Sequence, residues 1–135
     1  MLRCRCHSRK SYKRCCGPAH SGRAAATPVE LMRSRYAAYA LGNITYLMQT
    51  THEDSPHRGG SAWADELKAF CSGTRFEGLV ILDAPEPVGN EGFVTFTAGL
   101  RQGERDVSFT ERSRFERVDG RWLYVDGTPE PVRSR

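Results

Sequence analysis

No apolar run in these 135 residues approaches the roughly 20 positions that a membrane-spanning helix needs, so no membrane span is expected. The opening Met1-Leu2-Arg3-Cys4 carries charge at once and lacks the apolar stretch of a secretory leader. On that reading Cys4 is not expected to be a lipoprotein cysteine, and the expected location is cytoplasmic. There is no internal repeat and no low-complexity tract. The most telling shortage is of acid. Residues 1–26 contain Arg3, Arg5, Arg9, Lys10, Lys13, Arg14 and Arg23 but no Asp or Glu, so this stretch carries +7 of a chain whose net charge is +4. The basic charge therefore sits on an N-terminal segment, and the body is slightly acidic.

That segment also holds four of the five cysteines: Cys4, Cys6, Cys15 and Cys16, spaced C-x-C-x8-C-C. In a reducing compartment, clustered cysteines are metal ligands more often than disulfides. Four thiolates close a tetrahedral Zn²⁺ site at about 2.3 Å, with no open position for chemistry. A span this short buries no core of its own, so the metal has to supply its folding energy. The ion and its thiolates add −2, and the segment at about +5 still attracts a polyanion; alternatively, the arginines only offset the thiolates. His7 and His20 are alternative ligands should Cys16 face away. Cys71 stands alone and reads as a small buried hydrophobe.

A hydrophobic content of 39% with 10% aromatics is enough for one core, and the length allows one domain plus an appendage. Residues 1–20 are expected to form the metal knuckle and residues 21–26 a linker of small residues. The body is expected over 27–130. Thr27, Pro28 and Glu30 make a capping box ahead of a helix with Met32, Tyr36, Tyr39 and Ala40 on its buried face. Gly42 stops that helix. Asn43 caps a second, with Ile44, Leu47 and Met48 inward, and residues 53–60 read as an exposed loop. Ser61 opens a third helix, with Trp63, Leu67, Phe70 and Cys71 inward.

From Phe76 the period becomes strand-like. The expected strands are 77–84, 92–100, 105–118 and 122–125, with Asp119-Gly120 as a two-residue hairpin turn. Helices followed by an antiparallel meander indicate an α+β domain. In the third strand Val107, Phe109, Glu111, Ser113 and Phe115 share one side, opposite Ser108, Thr110, Arg112, Arg114 and Glu116. A carboxylate in the middle of an apolar face is either paired or inside a cavity.

The run Cys4-Arg5-Cys6-His7-Ser8-Arg9-Lys10-Ser11-Tyr12-Lys13-Arg14-Cys15-Cys16-Gly17 resembles the SEC-C motif, the zinc knuckle at the C-terminal tail of the SecA translocation ATPase. The motif's usual form is C-P-C-G-S-G-K-x-Y-K-x-C-C/H-G. Residues 31–42, Glu111-Arg112-Ser113-Arg114-Phe115 and residues 120–127 resemble the signatures of the bacterial YchJ family. The resemblance implies an N-terminal SEC-C knuckle and a nuclear transport factor 2-like domain, a cone of three helices against a curved antiparallel sheet. It implies a fold and a metal, but no reaction. Arg5 replaces the motif's Pro, and His7 and Arg9 stand where the motif has glycines that allow a left-handed backbone. The final residues 131–135 carry no second copy of the motif.

Two functions follow as expectations. In the first, the protein is a non-enzymatic zinc-binding adaptor. Arg9, Lys10, Tyr12, Lys13 and Arg14 form its docking surface for an acidic protein or ribosomal RNA, and its sheet offers a second surface or a homodimer interface. In the second, a cone pocket lined by Arg33, Arg35, Tyr36, Tyr39, Glu111 and Ser113 binds a small molecule or transfers a proton, with Glu111 as base and Tyr36 or Tyr39 as donor. Against the second stands an ion pair between Glu111 and Arg35 or Arg33, which is the simpler expectation. Trp63, Trp122, Phe109 and Phe115 read as core, and His52 and His57 as exposed.

Overall fold

The computed structural model describes residues 2–131; the final residues of the 131–135 tail, Val132 onward, lie outside the described residues. A 3₁₀ turn at Tyr12–Arg14 leads into a short helix α1 (Gly17–His20), followed by α2 (Pro28–Leu41), α3 (Ile44–Gln49) and α4 (Trp63–Ser72). The strands are β1 (Arg75–Asp83), β2 (Glu91–Gln102), β3 (Arg105–Asp106), β4 (Phe109–Val118) and β5 (Arg121–Glu130). The pairing is antiparallel throughout, in the order β1-β2-β4-β5, with β3 on β2. This is the α+β cone expected. Among the described residues no helix is long and apolar enough to cross a membrane.

The local signals act as the physics of caps and turns requires. Thr27 Oγ1 accepts from the Glu30 amide at 3.1 Å, Asn43 Oδ1 accepts from the Tyr46 amide at 3.2 Å, and Gly42 closes α2 at φ 73°. Asp119 and Gly120 both take positive φ, 51° and 79°, as a two-residue hairpin turn demands. The core lies where α2 crosses the concave side of the sheet: Leu31, Met32 and Tyr36 pack against Val94, Phe96, Phe115 and Trp122.

Several expectations are corrected. The strand expected over 105–118 is interrupted. Ser108 Oγ accepts from the Leu100 amide at 3.0 Å and Asp106 Oδ1 accepts from the Ser108 amide at 3.0 Å, so side chains replace ladder bonds there. The last strand runs on to Glu130, past Gly127 and Pro129, because it lies at the end of the strand order, where proline is tolerated. In α3 Tyr46 and Leu47 face inward, while Ile44 and Met48 are only partly buried. Helix α4 starts at Trp63 without a side-chain cap and buries Trp63 alone, leaving Leu67 and Cys71 half-buried and Phe70 exposed. His52 is buried rather than exposed. Its Nε2 meets Glu116 Oε1 at 3.0 Å, and its amide donates to the Tyr124 carbonyl at 2.8 Å.

Candidate functional site

The N-terminal segment folds back on itself. Arg3 bridges to Ser11, the Cys4 amide donates to the Lys10 carbonyl at 2.8 Å, and the Cys15 amide donates to the Tyr12 carbonyl at 3.1 Å. The loop between takes left-handed backbone at His7 (φ 64°) and Arg9 (φ 72°), the two positions where the motif has glycine. The turn is therefore kept despite its cost to residues with a Cβ. Its result is four Sγ atoms, those of Cys4, Cys6, Cys15 and Cys16, all within 4.8 Å of one another. Sulfurs around a tetrahedral ion at about 2.3 Å lie about 3.8 Å apart, so the arrangement can hold a metal ion after a small contraction. Ser8 Oγ lies 3.1 Å from Cys15 Sγ, and Arg33 NH1 donates to the Cys6 carbonyl at 3.2 Å and approaches its sulfur at 3.9 Å. The Cys16 thiol is the largest influence on Cys6 and holds it below its ordinary value, and Cys16 is pushed up in turn.

Neither histidine joins the sulfurs. His7 Nε2 lies 3.2 Å from the Phe76 carbonyl, with its ring edge-on to Tyr36. His20 is engaged at both nitrogens, by the Tyr12 hydroxyl at 2.6 Å and the Ser34 carbonyl at 2.7 Å. These contacts, with Arg33, press the knuckle onto α2 at Ala37, which is fully buried. Arg9, Lys10, Lys13 and Arg14 project to solvent. Tyr12 is half-buried with its hydroxyl taken, so it offers less of a free stacking face than expected.

The second feature is a cavity of about 330 Å³ inside the cone, walled by α2, α4 and the concave sheet. Arg35, Tyr36, Tyr39, Glu111 and Ser113 line it; Arg33 does not, because it turns to the knuckle. The expected Glu111–arginine ion pair is absent among the described residues. Instead, Glu111 Oε2 accepts from Ser113 Oγ at 2.5 Å and from the Tyr124 hydroxyl at 3.2 Å. Arg35 NH1 donates to the Leu47 carbonyl at 3.1 Å and to the Thr50 and Thr51 hydroxyls at 2.8 and 3.1 Å, and its guanidinium lies 4.8 Å over the Tyr124 ring. Tyr36 is tied to the sheet, donating to the Gly99 carbonyl at 3.3 Å and accepting from the Gly78 amide at 3.1 Å, and burial pushes it up to about 12. That leaves Tyr36 unsuited to be a proton donor. Phe109, expected in the core, is 40% exposed at the rim.

Sequence reading missed Tyr124 and Gly127. Tyr124 is pushed well above its ordinary range, by burial first and then by the Glu111 charge. The pairs Ser113↔Gly127 and Glu111↔Pro129 set the Glu111 carboxyl directly over Gly127, where any Cβ would collide with it. An apolar strand face broken by Glu and Ser opposite a glycine was the available signal.

The sequence model of the family described as YchJ, middle NTF2-like domain, matches residues 27–127. A UPF0225 protein of Streptomyces coelicolor is 45% identical over 125 residues, covering 92% of this chain and 93% of its own length. The solution structure of a SEC-C motif containing protein from Rhodopseudomonas palustris superposes with a TM-score of 0.80 at 36% identity, over 96% of this chain and 100% of that one. A crystal structure of a SEC-C motif containing protein from Psychrobacter arcticus shares the fold with a TM-score of 0.76 at 21% identity, over 99% of this chain and 86% of that one. A cysteine knuckle seated on a cone, the family match across most of the length and a relative at this identity together make the chain a member of the YchJ family.

Proposed function

We propose that the protein is a binding protein whose small-molecule ligand occupies the cone, with Zn²⁺ in the knuckle as a structural ion. The observation that carries this reading is Glu111: a carboxylate facing an open, largely aromatic cavity, with two hydroxyls and, among the described residues, no cation as partners. A site that served only to fill the core would close around it or neutralise it. Four sulfurs with no oxygen ligand suit Zn²⁺ among abundant divalent ions, and Cys4, Cys6, Cys15 and Cys16 would hold it. When bound, the ion supplies folding energy and no chemistry. The expected results are one zinc per chain by elemental analysis and a small molecule released on denaturing freshly purified protein. Ala98→Leu, which extends a side chain into the cavity, abolishes the second without the first. Purified protein that never carries a small molecule and is indifferent to Ala98→Leu overturns the cone reading.

A second reading is docking of the knuckle on an acidic protein or a ribosomal surface. The observation favouring it is that Arg9, Lys10, Lys13 and Arg14 all face solvent in a segment without acid. Salt-sensitive cosedimentation with ribosomes, or an acidic partner recovered by pull-down and lost on Cys15→Ser, is the expected result; salt-insensitive or absent association counts against it.

A further inference from the structure

We infer that the occupant of the cone is a small organic ammonium, a protonated amine on an apolar, ring-bearing body. This rests on the reading of the cone as a ligand site and names the chemistry that the site selects. Three side chains able to carry charge near neutral pH line the cavity, Arg35, His57 and Glu111; His57 lies against the Tyr124 ring at 5.8 Å, and the circumstances of the other two differ. Arg35 is compensated within the protein. Its acceptors, the Leu47 carbonyl and the Thr50 and Thr51 hydroxyls, gather at the C-terminal end of α3, which carries partial negative charge. The Tyr124 ring takes the remaining face.

Glu111 has no such counterpart. Its Oε2 receives two neutral hydroxyls, and among the described residues it meets no Lys, Arg or His. Among the described residues Oε1 has no hydrogen bond, and no side-chain oxygen there in that condition is sealed away from solvent or cavity. A carboxylate accepts and cannot donate, so its partner must bring N–H or O–H. In apolar surroundings a full positive charge offsets the anion better than a hydroxyl does. The walls agree with this. Phe109 and Phe115 flank Glu111 on the same strand face, Phe96 lies edge-on to Phe109 at 5.9 Å, and Phe115 lies edge-on to Tyr124 at 5.9 Å. Ring faces attract an ammonium and accept an apolar body equally. A cavity of about 330 Å³ admits a single-ring amine.

The test is a heteronuclear NMR titration of the full, metal-loaded chain with phenethylamine, its neutral counterpart phenethyl alcohol, and the anion hydrocinnamate, all near neutral pH. The amine is expected to shift the Ala98, Glu111 and Ser113 amides and to bind at least tenfold tighter than the alcohol, with hydrocinnamate weakest. Glu111→Gln, which keeps the shape, is expected to remove the amine's advantage and spare the alcohol. If the alcohol binds as tightly as the amine, or Glu111→Gln leaves the advantage intact, the ammonium is overturned while the cone stands as a ligand site. If none of the three probes moves the cone amides, both fall. The unsubstituted chain decides between amine and alcohol by itself, whether or not Glu111→Gln folds.

Discussion

The Tyr124 hydroxyl donates to Oε2 of Glu111 across 3.2 Å, joining the last strand to the middle of the sheet inside the cone. Tyr124→Phe keeps the ring, its contact with Phe115 and the surface beneath Arg35, and removes that donor alone. A loss of about 1–2 kcal/mol is expected in urea unfolding, because a part-buried carboxylate loses one of two donors. An unchanged midpoint would show the bond to be energetically silent.

Gly127 leaves the space that the Glu111 carboxyl fills. Gly127→Ala is expected to destabilise by about 1–3 kcal/mol, as overpacking does. Combined with Glu111→Ala, much of that loss should disappear, because the colliding group is gone. A double-mutant cycle reads the coupling directly; strict additivity refutes it.

Arg9 holds left-handed backbone at φ 72° while its side chain is exposed. Arg9→Gly should therefore stabilise the metal-loaded protein by about 1 kcal/mol. His7→Gly relieves the same kind of strain but loses the contact with the Phe76 carbonyl, so its net effect should be near zero. Equal gains from the two would mean that the histidine contact contributes nothing.

Alkaline pH should weaken the fold through Tyr36. Burial raises it from 10.0 to about 12, so the unfolded chain ionises first. The stabilisation is complete below pH 10 and is lost as pH rises towards 12. Tyr36→Phe should lower stability at neutral pH, through the lost Gly99 and Gly78 bonds, and flatten the alkaline slope. Stability measured against pH in both proteins checks the sign; identical slopes would remove Tyr36 from the account.

Caps and turns were legible in the chain because they are local. Thr27 and Glu30, Gly42, and Asp119 with Gly120 each act within a few residues, and the motif spacing set the four sulfurs together. The destinations of long side chains were not legible. Arg33 and Arg35 sit two positions apart on α2, and only the packing of α1 and α3 decides that one serves Cys6 and the other Leu47. The Glu111–Tyr124 contact was hidden as well. It depends on the register of β4 and β5, which shifts between Arg114 and Phe115. His52 was hidden for a related reason: its partner Glu116 lies 64 positions away.

Helix α2 gives one arginine to each half of the molecule, and this limits how the chain can be dissected. A fragment ending at residue 26 would keep the four clustered sulfurs but forfeit the guanidinium on Cys6 and the carbonyls that hold His7 and His20. A single residue inserted between Arg33 and Arg35 would turn one against the other by about 100°, and both arginines could not stay on target. Knuckle and cone are thus inseparable by scissors or by graft: whoever transplants one must carry the helix, and with it a wall of the other.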